Sequence, residues 1–75
     1  MSAIEIAPEE LVERATALAK SDRNLEIMDR TTILHVYLEM TRLDPMSGTY
    51  RKNVEDAVGS LVQAIVETHG SAALV

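Results

Sequence analysis

The sequence lacks cysteine, tryptophan and phenylalanine, and its aromatic residues are Tyr37 and Tyr50. Without cysteine, the chain has no disulfide, no zinc-thiolate site and no thiol chemistry. No apolar run approaches the roughly 18 residues of a membrane-spanning helix. Residues 1–5 have neither the basic segment nor the apolar stretch of a secretory signal. We therefore expect a cytoplasmic protein with no membrane segment.

Positive charge is also scarce. Twelve acidic residues face seven basic residues, which gives a formal net charge of −5. The average field repels a polyanion, and few rings are present for base stacking. Arg51 and Lys52 form the one adjacent basic pair. The last of three hypotheses about function is therefore a nucleic-acid-binding regulator in which this basic pair contacts the nucleic-acid backbone.

What the chain does have is aliphatic residues. Hydrophobic residues make up 47% of its 75 positions, which is typical of a folded domain. A chain of this length forms one domain, residues 1–75, and buries only about 60% of its unfolded surface. Such small domains need a further source of stability. With no disulfide, that source is close helix packing or oligomerisation.

The apolar spacing predicts an all-α fold with helices over residues 8–20, 25–43 and 49–69. Pro8 suits a first helical position, and Pro45 and Gly70 follow helix ends. The two longer helices are expected to form an antiparallel pair after the shorter one, a three-helix unit that dimerisation would complete as a bundle. The tail, residues 71–75, either folds back through Leu74 or frays. Its apolar carboxy terminus is also a candidate for capture by a peptide-binding groove, although a frayed or tucked end is the preferred interpretation.

Residues 31–38 are rich in β-formers and leave a strand open as an alternative. We prefer a helix because the stretch lies within about twenty residues that contain no helix breaker. A lone strand would also have no partner, since residues 4–6 are too few to build a sheet.

The second helix is apolar on more than one side, which is typical of a central helix. Its polar strip is narrow and consists of Thr31, His35, Glu39 and Arg42. This surplus of apolar surface favours a homodimer, with the second and third helices of each copy forming a four-helix core. A face kept for another protein is the alternative use. The predicted interaction surface comprises Ile33, Leu34, Val36, Tyr37, Leu38, Met40, Val58, Leu61, Val62 and Ile65.

Gly59 lies inside the third helix, where glycine costs about 1 kcal/mol relative to alanine. Two explanations remain open at this point. Another helix approaches the backbone closely there, or the glycine simply faces solvent.

His35 and Glu39 are four residues apart, and a helix places them on one face with Arg42. An imidazole and a carboxylate at this spacing can bind a metal or exchange a proton. The pair supplies only two ligands, however, and a solvated charge network is the preferred interpretation. We predict no catalytic residue and no cofactor. A non-enzymatic interaction module, a regulator or adaptor, is the first hypothesis, and a metal-binding or enzymatic module around His35 and Glu39 at a dimer interface is the alternative.

Overall fold

A computed structural model describes residues 6–74, and every element in that range is helical. Helix α1 spans Pro8–Asp22, α2 spans Leu25–Leu43 and α3 spans Gly48–His69, and a short 3₁₀ helix covers Ser71–Leu74. The predicted all-α fold is confirmed, and residues 31–38 are helix rather than strand. Residues 1–5, for which no secretory signal is expected, lie outside the described residues. Val75, at the end of the tail, lies outside them as well.

The two threonines among the β-formers of α2 are accommodated in the helix because their hydroxyl groups find partners within it. The Thr31 hydroxyl donates to the Ile27 carbonyl at 2.6 Å, and the Thr32 hydroxyl donates to the Met28 carbonyl at 2.9 Å. A threonine bonded to the carbonyl four residues earlier leaves no polar atom unsatisfied when it is buried.

Side-chain caps define two of the helix starts. The Asn24 side chain accepts from the Ile27 amide at 3.1 Å, and Ser47 accepts from the Tyr50 amide at 3.2 Å. The Ser47 cap places Gly48 as the first residue of α3, one position earlier than predicted. Helix α1 has no side-chain cap and begins with Pro8, as the sequence indicated.

The end of α1 differs from the prediction by two residues. The helix continues to Asp22 because Arg23 adopts the left-handed conformation, with φ of 54°. The Asn24 amide then donates to the Ala19 carbonyl at 3.1 Å, which satisfies one of the carbonyls at the helix end.

The core lies where α1 and α3 both pack against α2. Ile27 and Leu34 of α2 are fully buried, and Thr31 between them is 6% exposed. The expected place of Thr31 on the polar strip is therefore wrong. Thr31 lies four residues after Ile27 and three before Leu34, so it belongs to the buried side of the helix. The buried hydrophobic residues are Leu11, Ala15, Ala19, Ile27, Leu34, Ala57, Leu61, Ala64, Ile65 and Leu74.

The tail folds back as far as Leu74. Gly70 turns the chain with φ of 81°, a conformation that favours glycine. The 3₁₀ helix that follows packs on α3, and Leu74 is 3% exposed. Of the two alternatives for residues 71–74, the folded-back tail is confirmed.

A polar clamp joins α2 to α3. The Arg30 guanidinium donates to the Ser60 carbonyl at 2.8 Å and to Glu26 at 2.6 Å. The Arg30 side chain is 32% exposed, so its bonds are only partly screened by water. This arginine therefore links two helices across thirty residues of sequence.

Gly59 faces solvent, and a Cβ built on it meets no atom within 4 Å. We expect Gly59→Ala to stabilise the chain by about 0.5–1 kcal/mol, because alanine has the higher helix propensity. Thermal unfolding followed by circular dichroism should show the midpoint rising by a few degrees. Gly70→Ala is the matched control and should destabilise the chain, since its φ of 81° strains any other residue. A lower midpoint for Gly59→Ala would mean that the glycine has a packing role.

The clamp gives a second prediction. Arg30→Met should destabilise the fold by about 1 kcal/mol, because the variant loses a charged hydrogen bond that is partly shielded from solvent. Arg42→Met is the control and should have no measurable effect, since Arg42 lies exposed on α2. Urea unfolding of both variants compares the two sites, and equal midpoints would show that the clamp is dispensable.

Candidate interaction surface

The side of α2 opposite its buried stripe carries a row of large apolar side chains, with Met28 at the edge next to α1. We call this row the α2 outer face. Its members are between 38% and 77% exposed, whereas Ile27 and Leu34 on the opposite side of the helix are fully buried. The α2 outer face consists of Leu25, Met28, Ile33, Val36, Met40 and Leu43.

Helical spacing explains why α2 has two apolar sides. Ile33, Val36, Met40 and Leu43 follow one another at intervals of three, four and three residues, which keeps them along one stripe. The core stripe that begins at Ile27 has the same periodicity but points the other way. Among the described residues, the other exposed large hydrophobic side chains are Met46 and Val66. Exposed apolar surface is therefore concentrated on one helix.

The residues predicted to form the interaction surface divide into two groups. Ile33, Val36 and Met40 are exposed on the α2 outer face. The others belong to the core or pack against its edge, because they hold α2 and α3 together. Leu34, Leu61 and Ile65 have no exposed surface, and Tyr37, Leu38, Val58 and Val62 are half-buried.

The fully buried members cannot contact another molecule while the helices remain packed. Three residues of the α2 outer face, Leu25, Met28 and Leu43, are absent from the predicted interaction surface. Leu25 and Leu43 lie eleven and seven residues from Val36, and this heptad spacing is the signal that identifies them, whereas Met28 lies off it.

A shallow groove borders the α2 outer face where α1 meets α2, and Met28 belongs to both. Its volume is about 110 Å³. Pockets that enclose small ligands hold roughly 300–1,000 Å³. The groove is therefore too small for such a ligand and extends the apolar surface toward α1. It is lined by Thr16, Ala19, Lys20, Met28, Thr31 and Thr32.

The polar strip forms an exposed charge pair rather than a closed site. The Arg42 guanidinium donates to Glu39 Oε2 at 2.7 Å. This hydrogen bond and the positive charge of Arg42 hold the pKa of Glu39 below its usual value. His35 is exposed and contributes only a weaker electrostatic effect. Within residues 6–74, no three His, Asp or Glu side chains come together as metal ligands.

The second histidine lies far from the first and connects two helix ends. His69 Nε2 at the end of α3 lies 2.9 Å from Asp22 Oδ2 at the end of α1. The buried ring nitrogen does not make a directed hydrogen bond to the carboxylate, so the contact is an ionic one when the ring is protonated. This pair brings the ends of α1 and α3 together and is separate from His35 and Glu39.

The geometry defines an all-helical protein with one apolar outward helix face. In the part of the chain that the structure describes, no helix has the length and apolarity to span a membrane. Comparison of the chain with protein-family models, with curated proteins and with solved structures gives no match.

The Glu39–Arg42 pair gives a titration prediction. Arg42→Met should raise the pKa of Glu39 toward its ordinary value of 4.5, because the main cause of the lowering is removed. The lowered pKa means that any contribution of the pair to stability is present above pH 4.5 and lost as the pH falls through the lowered pKa of Glu39, but between two exposed side chains it is too small to detect by unfolding. Carboxyl NMR signals across an acid titration measure the shift.

His35→Ala is the control for this titration and should move the Glu39 pKa less, because the imidazole is the weaker influence. A Glu39 pKa that stays the same in Arg42→Met would show that the pair does not persist in solution.

Proposed function

We propose that this protein is a non-enzymatic interaction module, a small regulator or adaptor that acts by packing the α2 outer face against a helix of another polypeptide chain. The observation that carries the proposal is the concentration of exposed leucine, isoleucine, valine and methionine on one side of α2.

The chemistry of this face supports binding to protein. Large contiguous apolar surface on a small domain is typical of protein–protein contacts. The two methionines, Met28 and Met40, have flexible and polarizable side chains that adapt to an uneven partner surface. Together with branched aliphatic residues, they provide a surface onto which a second amphipathic helix can pack.

The charges beside the α2 outer face support a helical partner rather than a nucleic acid. Glu26, Asp29 and Glu39 lie on the same helix as Arg30 and Arg42, and two of these carboxylates are already paired within the chain. The net charge of −5 opposes binding to a polyanion. Asp29, four residues after Leu25 and four before Ile33, lies within the apolar stripe, and the other charges lie to either side of it, a mixture that occurs where amphipathic helices pack together.

Photo-crosslinking tests the proposal. A benzophenone amino acid is placed at position 36, on the α2 outer face, or at position 63, an exposed site on α3. We expect a covalent adduct with a polypeptide from position 36 and little from position 63. Adding Met40→Glu to the position 36 protein should reduce the yield about tenfold, which corresponds to a loss of about 1.4 kcal/mol.

The matched control is Gln63→Glu in the position 36 protein, which adds the same charge outside the α2 outer face and should leave the yield unchanged. Equal yields from positions 36 and 63, or an adduct that is insensitive to Met40→Glu, would contradict the proposal.

A further inference from the structure

We propose that the helix that covers the α2 outer face is α2 of a second copy of the same chain, running in the opposite direction. This inference rests on the proposed function, because it takes the α2 outer face as an interface and adds the identity of its partner. The evidence is the arrangement of the exposed side chains along α2.

The exposed apolar residues are placed symmetrically about the middle of the helix. Leu25 and Leu43 each lie nine residues from Leu34, and Met28 and Met40 each lie six residues from it. Ile33 and Val36 lie close to the midpoint, one residue before it and two after it. Four of the six members of the face therefore form two matched pairs, and the other two lie within two residues of the midpoint.

This symmetry is what an antiparallel two-fold contact requires. In such a contact, residues equally far from the midpoint, one from each copy, come to the same level. Leucine then lies level with leucine and methionine with methionine, while Ile33 and Val36 lie close to the axis without being level with each other. A face used only for an unrelated partner has no reason to be symmetric about its own centre.

Charge also favours the antiparallel direction. Glu26 and Arg42 each lie eight residues from Leu34, so the acidic start of one helix is level with the basic end of the other. Asp29 is level with Glu39, which is a like-charge pair, and Glu26, Glu39 and Arg42 each already have an ion-pair partner within their own chain. A parallel pair would instead place Glu26 beside Glu26 and align the two helix dipoles in the same direction.

The shape of the molecule leaves room for this contact. The chain forms a slab of 35 × 31 × 15 Å, with α1 and α3 packed on α2 away from the α2 outer face. A typical interface takes about 800 Å² from each partner, which is roughly 15% of the 5182 Å² surface of this chain. Two slabs stacked through α2 would bury the apolar row and give the layered architecture on which stable domains depend.

The absence of cysteine makes the direction of pairing testable by disulfide trapping. Variants Leu25→Cys and Leu43→Cys are oxidised separately and as a mixture. In the antiparallel contact, positions 25 and 43 of different copies meet, whereas two copies of position 25 are about 27 Å apart. A disulfide needs Cα atoms within about 7 Å. We therefore expect the mixture to form covalent dimers at least tenfold faster than either variant alone.

The control for trapping is Leu25→Cys mixed with Gln63→Cys, which should not react faster than Leu25→Cys alone. Rapid dimer formation by each variant alone, with no gain on mixing, would show parallel pairing and overturn the inference.

Solution mass provides the second measurement. We expect the unmodified chain to form dimers in a concentration series by light scattering, and Val36→Glu to raise the dimer dissociation constant at least tenfold. Val36 is 46% exposed, so the variant should keep its helical circular dichroism. Met46→Glu is the matched control, since Met46 is 85% exposed outside the α2 outer face, and it should remain dimeric.

The failure of this inference can be told apart from the failure of the proposed function. A chain that stays monomeric at every concentration overturns the second-copy inference. If position 36 still crosslinks to a different protein in a Met40-dependent way, the interaction module stands with another partner. If position 36 gives no specific adduct at all, both are wrong.

Discussion

The packing of one side of α2 against two helices at once is the contact on which the rest of the fold depends. Ile27, Thr31 and Leu34 form the buried stripe, and both α1 and α3 rest on it. Contacts between α1 and α3 themselves are sparse, so neither helix would be held in place without α2. Because α1 and α3 both pack along the buried stripe of α2, the side opposite that stripe is left exposed.

The buried side and the exposed side of α2 therefore both follow from the small size of the domain. A chain of 75 residues can bury only a thin core, and here that core is made of small and aliphatic residues with no large aromatic ring. Two polar side chains at its edge have hydrogen-bond partners: the Thr31 hydroxyl donates to the Ile27 carbonyl, and Arg30 donates to the Ser60 carbonyl of α3. The remaining apolar surface on α2 has no partner among the described residues, and a second copy would supply one.

Much of the fold follows from local signals in the sequence. The conformational effects of proline, of an N-cap residue and of glycine act over a short range of sequence. The helix ends predicted from Pro8, Asn24 and Gly70 therefore lie within a residue or two of the observed bounds. The left-handed turn at Arg23 could not be predicted, because arginine has no special preference for that conformation. The Arg30 clamp also escaped prediction, since its partner Ser60 is brought near only by tertiary packing.

The candidate surface could be predicted only in part, for a related reason. The stripes through Ile27 and Ile33 have the same helical periodicity, and periodicity alone does not reveal which stripe α1 and α3 cover. Leu34 was therefore grouped with Val36, although the first is fully buried and the second is 46% exposed. The ends of the face, Leu25 and Leu43, were interpreted as helix boundaries because each lies next to a capping or breaking residue.

Methyl NMR spectra recorded across a dilution series test the central claim most directly. Ile33 is 49% exposed on the α2 outer face, whereas Ile27 and Ile65 are fully buried in the core. Pairing through α2 predicts that the Ile33 methyl signals, together with those of Met28 and Met40, shift with concentration while the Ile27 and Ile65 signals stay fixed. Signals from Ile33 that do not change with concentration, or equal shifts in Ile27 and Ile65, would contradict an interface between copies on this face of α2.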